Sequence, residues 1–190
     1  MKKYILSIMT IISSVIIFCS NTAFANIAPI YDGTMKNFIY RYNDIMWNRF
    51  NGYCLIYQQP SPYQSDAHFD SYITFSEHDN DKITVAFFCN KNGSLAKTLI
   101  FFGPKHNADS YDSNEVALAM QEYNANVKTI ECILLTLDVS TFDATRFALN
   151  PVQPYFEAEI LNKNKNIVLE KNIDNEHNMI VYKITARSRN

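Results

Sequence analysis

The chain has 190 residues, 47% hydrophobic and 19% charged, with a formal charge of −2 at pH 7. That mixture describes a globular protein and excludes a disordered one, and the near-neutral charge excludes a basic field for nucleic acid. The four glycines, Gly33, Gly52, Gly93 and Gly103, cannot spell GxGxxG, GxxxxGK[ST] or GxSxG. Nucleotide-phosphate loops and the nucleophile elbow are therefore absent, and no cofactor is expected.

Residues 1–25 read as a secretory signal peptide. Lys2 and Lys3 supply the positive start, Ile5 to Phe18 the apolar stretch, and Ala23-Phe24-Ala25 the small-residue cleavage site. The apolar stretch is shorter than the roughly 20 residues a membrane span needs. Lipidation at Cys19 is disfavoured, because Phe18 is a large residue where a small one is wanted. Cleavage after Ala25 would export the remaining 26–190 as a single α+β domain, periplasmic or secreted, with no stable membrane insertion. Three cysteines then remain, Cys54, Cys89 and Cys132. Their odd number permits at most one internal bridge. Cys54 and Cys89 are read chiefly as small apolar strand residues, with a Cys54–Cys89 disulfide as the alternative that export allows.

A first helix is expected after Thr34, its natural N-cap. Met35, Phe38, Tyr42, Ile45 and Met46 recur at spacings of three and four. Asn51-Gly52 should end it, with Gly in the left-handed position. Trp47 lies off that stripe, where it flanks the core or covers a second surface. Strand patterns follow at 53–57, 72–76, 82–89 and 95–102. The polar, proline-containing 58–71 stretch is a loop, and Asn90-Lys91-Asn92-Gly93 signals a hairpin. Ile83, Val85 and Phe87 alternate with Thr84, Ala86 and Phe88, which suggests one buried and one wetter face.

Residues 113–137 make the clearest helix, capped by Asp112 or Ser113. Val116, Met120, Tyr123, Val127, Ile130, Leu134 and Leu137 form one apolar stripe expected to face a sheet. Lys128, Glu131 and Cys132 should then face away. A short helical turn at 141–149 precedes Pro151 and Pro154, and three strands follow at 155–161, 167–171 and 179–187. The expected fold is α+β: an antiparallel sheet of six to seven strands with two main helices packed on one face, with a closed barrel as the alternative.

Phe38-Ile39-Tyr40-Arg41-Tyr42-Asn43 resembles the F-x-x-[RK]-[FY]-N opening of small exported bacterial α+β proteins of unknown function. In those proteins, too, strands with an Asn-Gly turn precede a long helix ending near Leu-x-x-Leu-Asp, here Leu134 to Asp138. The resemblance covers about residues 35–140 and implies no activity.

Few groups suggest chemistry. His68, Asp70 and His78 flank one strand and have the residue types of a metal site, although a pair of solvated turns explains them as well. Asp79-Asn80-Asp81 lacks the glycine and distal glutamate of a calcium loop. Tyrosines gather at loops, and Tyr is favoured at interfaces because its ring buries well while its hydroxyl keeps a partner. Tyr57, Tyr63, His68 and Tyr72, in and around the 58–71 loop, are the candidate binding residues. The expectation is a non-enzymatic binding protein with a protein partner in the cell envelope or outside the cell. The alternative is a small periplasmic or secreted hydrolase, metal-dependent through His68, Asp70 and His78.

Overall fold

The computed structural model describes residues 28–52, 54–57, 61–62, 71–77, 83–90, 93–149, 156–162, 165–174, 176 and 178–186, with backbone alone for 61–62, 71–77, 156–162 and 165–166. Helix α1 spans Met35–Ile45 and continues into a π-turn at Met46–Phe50. The Thr34 side chain accepts from the Asn37 N–H, as its N-cap role requires. At the other end Asn51, not Gly52, takes the left-handed conformation, with φ 46°. Gly52 serves close approach instead: a Cβ there would lie 2.5 Å from the Met46 sulfur.

Seven strands follow the chain as β1 (Ser61–Pro62), β2 (Ser71–Glu77), β3 (Ile83–Asn90), β4 (Leu95–Phe102), β5 (Phe156–Asn162), β6 (Lys165–Asp174) and β7 (Met179–Ala186). They lie in the order β1-β2-β3-β4-β7-β6-β5, with antiparallel neighbours throughout. Between β4 and β5 come helix α2 (Ser113–Thr136) and helix α3 (Thr141–Ala148). The β3–β4 hairpin closes as its Asn-Gly signal suggested. The Asn90 N–H donates to the Ser94 carbonyl at 2.9 Å, and Gly93 takes φ 79°.

The expectation of two main helices packed on one face of the whole sheet is corrected: three helices accompany the sheet, and the part of it described with side chains is a four-strand antiparallel body, β3, β4, β7 and β6. α3 is a full helix because both of its ends are satisfied. Ser140 Oγ accepts from the Asp143 N–H, and the Leu149 N–H donates to the Thr145 carbonyl. The 53–57 strand is also corrected: residues 54–57 form no strand, because the Leu55 backbone bonds to a side chain of α1 instead of to another strand.

One hydrophobic cluster joins the helices to the sheet face carrying Ile83, Val85, Phe87, Ile100, Leu169, Tyr182 and Ile184. Phe38 of α1 meets Phe87 edge-on at 5.6 Å, an arrangement that suits the ring quadrupoles. The opposite face is not the wetter one expected from the alternation. Phe88, Leu99, Phe101 and Val181 are all buried there, as is Lys97, whose ammonium stands 4.2 Å from the centre of the Phe88 ring. These strands carry apolar residues in both registers, the pattern of strands buried on two faces.

The stripe of α2 is corrected as well. Met120 is exposed, while Ala119, Glu122 and Asn126 are buried. Further along, Val127, Ile130, Leu134 and Leu137 are in the core as expected, but so is Cys132, and Glu131 is buried. The C-terminal half of α2 has neighbours beyond the sheet, namely α1, the π-turn and α3. A helix enclosed in this way buries residues all round its circumference. Among the described residues, no helix is long and apolar enough to cross a membrane.

Candidate binding surface

Tyr40 lies in α1 and Trp47 seven positions on, in the π-turn; at about 3.6 residues per turn seven steps make almost two turns, which places the two positions near one side of the helix. Both are exposed, Tyr40 at 58% and Trp47 at 65%. Trp47 is the chain's one tryptophan, and it sits in the π-turn, a rare local geometry found frequently at functional sites. The Lys36 ammonium lies 5.7 Å from the centre of the Tyr40 ring.

The segment after the π-turn doubles back beside this face. Asn43 holds it there: its Nδ2 donates to the Leu55 carbonyl and its Oδ1 accepts from the Leu55 N–H, both at 2.8 Å. The carboxamide thus reproduces the paired bonds of a strand neighbour. Leu55 is buried by this clamp, while Ile56, 72% exposed, and Tyr57 remain at the surface. Replacing Asn43 by alanine removes both bonds and is expected to cost about 1–3 kcal/mol. Urea unfolding should show the loss, whereas the neighbouring Asp44→Ala, at an exposed position, should stay within about 0.5 kcal/mol of wild type.

Polar ties fix α1 against the C-terminal half of α2 and its sequel. Arg41 pairs with Asp138, whose hydrogen bond holds the guanidinium above its ordinary pKa. Arg49 of the π-turn reaches the buried carboxylate of Glu131 at 3.0 Å, and Thr145 of α3 donates to the same oxygen at 2.7 Å. These partners explain why Glu131 tolerates burial. The exposed aromatic face therefore stands on a backbone anchored from behind, which lowers the entropy lost when a partner binds.

A second polar group lies under the N-terminal half of α2. The Glu122 carboxylate accepts from the Lys105 and His106 N–H groups at 3.0 and 3.2 Å. The His106 ring stands between Glu122 and Glu115, with Nδ1 3.0 Å from Glu115. Bonds from His106 and the Asn107 N–H hold the Glu115 carboxyl below its ordinary pKa. Deeper in, Asn126 Nδ2 lies 3.4 Å from the Tyr182 hydroxyl. Glu115 and Glu122 fasten the 105–107 backbone to α2, and Asn126 ties α2 to β7. Their polarity hid them from a stripe drawn through apolar residues alone.

Of the expected binding residues, Tyr57 is exposed beside α1. Tyr72 occupies a β2 position opposite Cys89 and Pro62. Tyr63 and His68 lie outside the described residues, as do Asp70 and His78 of the metal alternative. Among the described residues, no group of three or more His, Cys, Asp and Glu could hold a metal. Cys54, Cys89 and Cys132 are free thiols, with Cys54 exposed and the others buried. Tyr40 and Ile56 are exposed although the sequence pattern does not single them out: Tyr40 lies off the apolar stripe of its helix, and Ile56 falls in a segment with a strand pattern. Compared with known proteins, the chain matches no family model, no curated protein and no solved structure.

Proposed function

We propose that this is an exported, non-enzymatic binding protein that docks another protein of the envelope or the exterior through Tyr40, Trp47, Ile56 and Tyr57. The observation that carries the reading is Trp47: the chain's one tryptophan, exposed on a π-turn, with the exposed Tyr40 seven positions earlier, a spacing of almost two helical turns. Exposed apolar surface is costly in water and marks interaction sites when it is contiguous. Trp and Tyr are also the residues on which interface energy concentrates. Export rests on the 1–25 leader with cleavage after Ala25.

The test begins with the partner captured from the native envelope fraction and then purified. Trp47→Ala is expected to weaken its binding by about 2 kcal/mol or more, roughly thirtyfold. The melting point should hardly move, because the side chain is exposed. Unchanged affinity would sink this surface as the docking site. N-terminal sequencing of natively expressed protein should begin at Asn26, and a chain retaining Met1 would sink export. Stoichiometric, tightly held zinc in the purified protein would favour the hydrolase alternative instead.

A further inference from the structure

Two thiols meet the same helix at consecutive carbonyls. The Cys54 sulfur lies 3.8 Å from the Asn43 carbonyl oxygen, and the Cys132 sulfur lies 3.3 Å from that of Tyr42. Neighbouring residues of a helix rise by about 1.5 Å, so both sulfurs reach one short stretch of backbone from opposite elements. This stretch is the last turn of α1, just before the π-turn, where the Met46 N–H is shared between the carbonyls of Tyr42 and Asn43. The thiols act there as additional donors. Burial pushes the Cys132 thiol up, and charge on Cys54 pushes it further. Both sulfurs thus converge on adjacent peptide groups of a single helical turn. Cys89, by contrast, is buried in β3, and burial accounts for its shift.

We propose that Cys54 and Cys132 are a redox pair that closes to a disulfide under oxidising conditions, with a small disulfide such as oxidised glutathione as the co-reactant. The exposed Cys54 thiolate attacks that disulfide first. A mixed disulfide forms and one glutathione thiolate leaves, taking up a proton. Cys132 then loses its proton and attacks the Cys54 sulfur. The new Cys54–Cys132 bond forms, the mixed bond breaks, and a second glutathione leaves. The protein loses two electrons and two protons, and one glutathione disulfide becomes two thiols. The bond would tie the 54–57 segment, with Ile56 and Tyr57, to α2. This pairing goes beyond the docking surface and does not depend on it.

The second step is expected to be slow, because only the thiolate attacks. Its rate should rise about tenfold per pH unit while Cys132 stays mostly protonated. The experiment uses the full, reduced chain with Cys19→Ala, incubated without denaturant with oxidised glutathione, then alkylated and mapped by peptide mass. The expected product is a Cys54–Cys132 linked peptide with Cys89 alkylated. Cys132→Ser should stop at the Cys54–glutathione adduct. If wild type also stops at that adduct at mildly alkaline pH, the proposal fails. A Cys54–Cys89 peptide, or an unmodified Cys54, would overturn it equally. Mapping of the wild-type thiols decides the matter even if the serine variant does not fold.

Discussion

Ile130→Ala is expected to lower stability by about 2–5 kcal/mol, the range for emptying a buried aliphatic side chain. Ile130 is fully buried, in the half of α2 that the sheet, α1 and α3 enclose. The surroundings are anchored by the Arg49–Glu131–Thr145 ties one residue away, so collapse into the cavity is restricted and the upper part of the range is favoured. A total stability of about 5–15 kcal/mol makes this a large fraction. Two controls lie on the same helix. Lys128→Ala and Met120→Ala change exposed positions and should each stay within about 0.5 kcal/mol of wild type. Chemical denaturation of the three variants checks all of this. A Met120→Ala loss as large as that of Ile130→Ala would restore the stripe drawn from apolar spacing.

That contrast shows where the sequence was legible. Spacing located α2 to within a residue and correctly named Val127, Ile130, Leu134 and Leu137 as core. Local chemistry was equally readable: Thr34, Asp112 and the Asn-Gly hairpin each do what their side chains or backbone freedom permit. The failures are tertiary. Glu122 is inside because the 105–106 backbone turns its N–H groups toward it, and a helical wheel contains no such information. Cys132 is inside because α1 packs behind α2, although its angle from the stripe suggested solvent. Residues 54–57 are not a strand because one asparagine twelve positions earlier captures Leu55. Trp47 was legible only as an outlier from a stripe, and the π-turn that presents it, after the end of α1, leaves no mark in the apolar spacing.

The second large effect is alkaline unfolding. Burial pushes the Cys89 thiol from its ordinary 9.0 up to about 12, and it raises Cys132 and Tyr42 as well. All three groups are neutral when protonated, and the folded state holds each proton more tightly than the unfolded chain does. Their stabilisation is therefore complete below about pH 9. It is lost as the pH climbs through the unfolded values toward the folded ones, because only the unfolded state then gains by ionising. For Cys89 alone, one and a half pH units above 9.0 remove about 2 kcal/mol, at 1.36 kcal/mol per unit. In a chain of this size that corresponds to a fall of roughly 4–8 °C in melting point between about pH 8 and pH 10.5. Cys132 and Tyr42 deepen the fall. Thermal melts under reducing conditions should show it, and Cys89→Ala should flatten the profile relative to wild type, whatever its own effect near neutrality. A wild-type melting point equal at both pH values would overturn the account. Oxidation gives an independent check: Cys132 held in a disulfide has no proton to lose, so the oxidised protein should fall less steeply with pH than the reduced one.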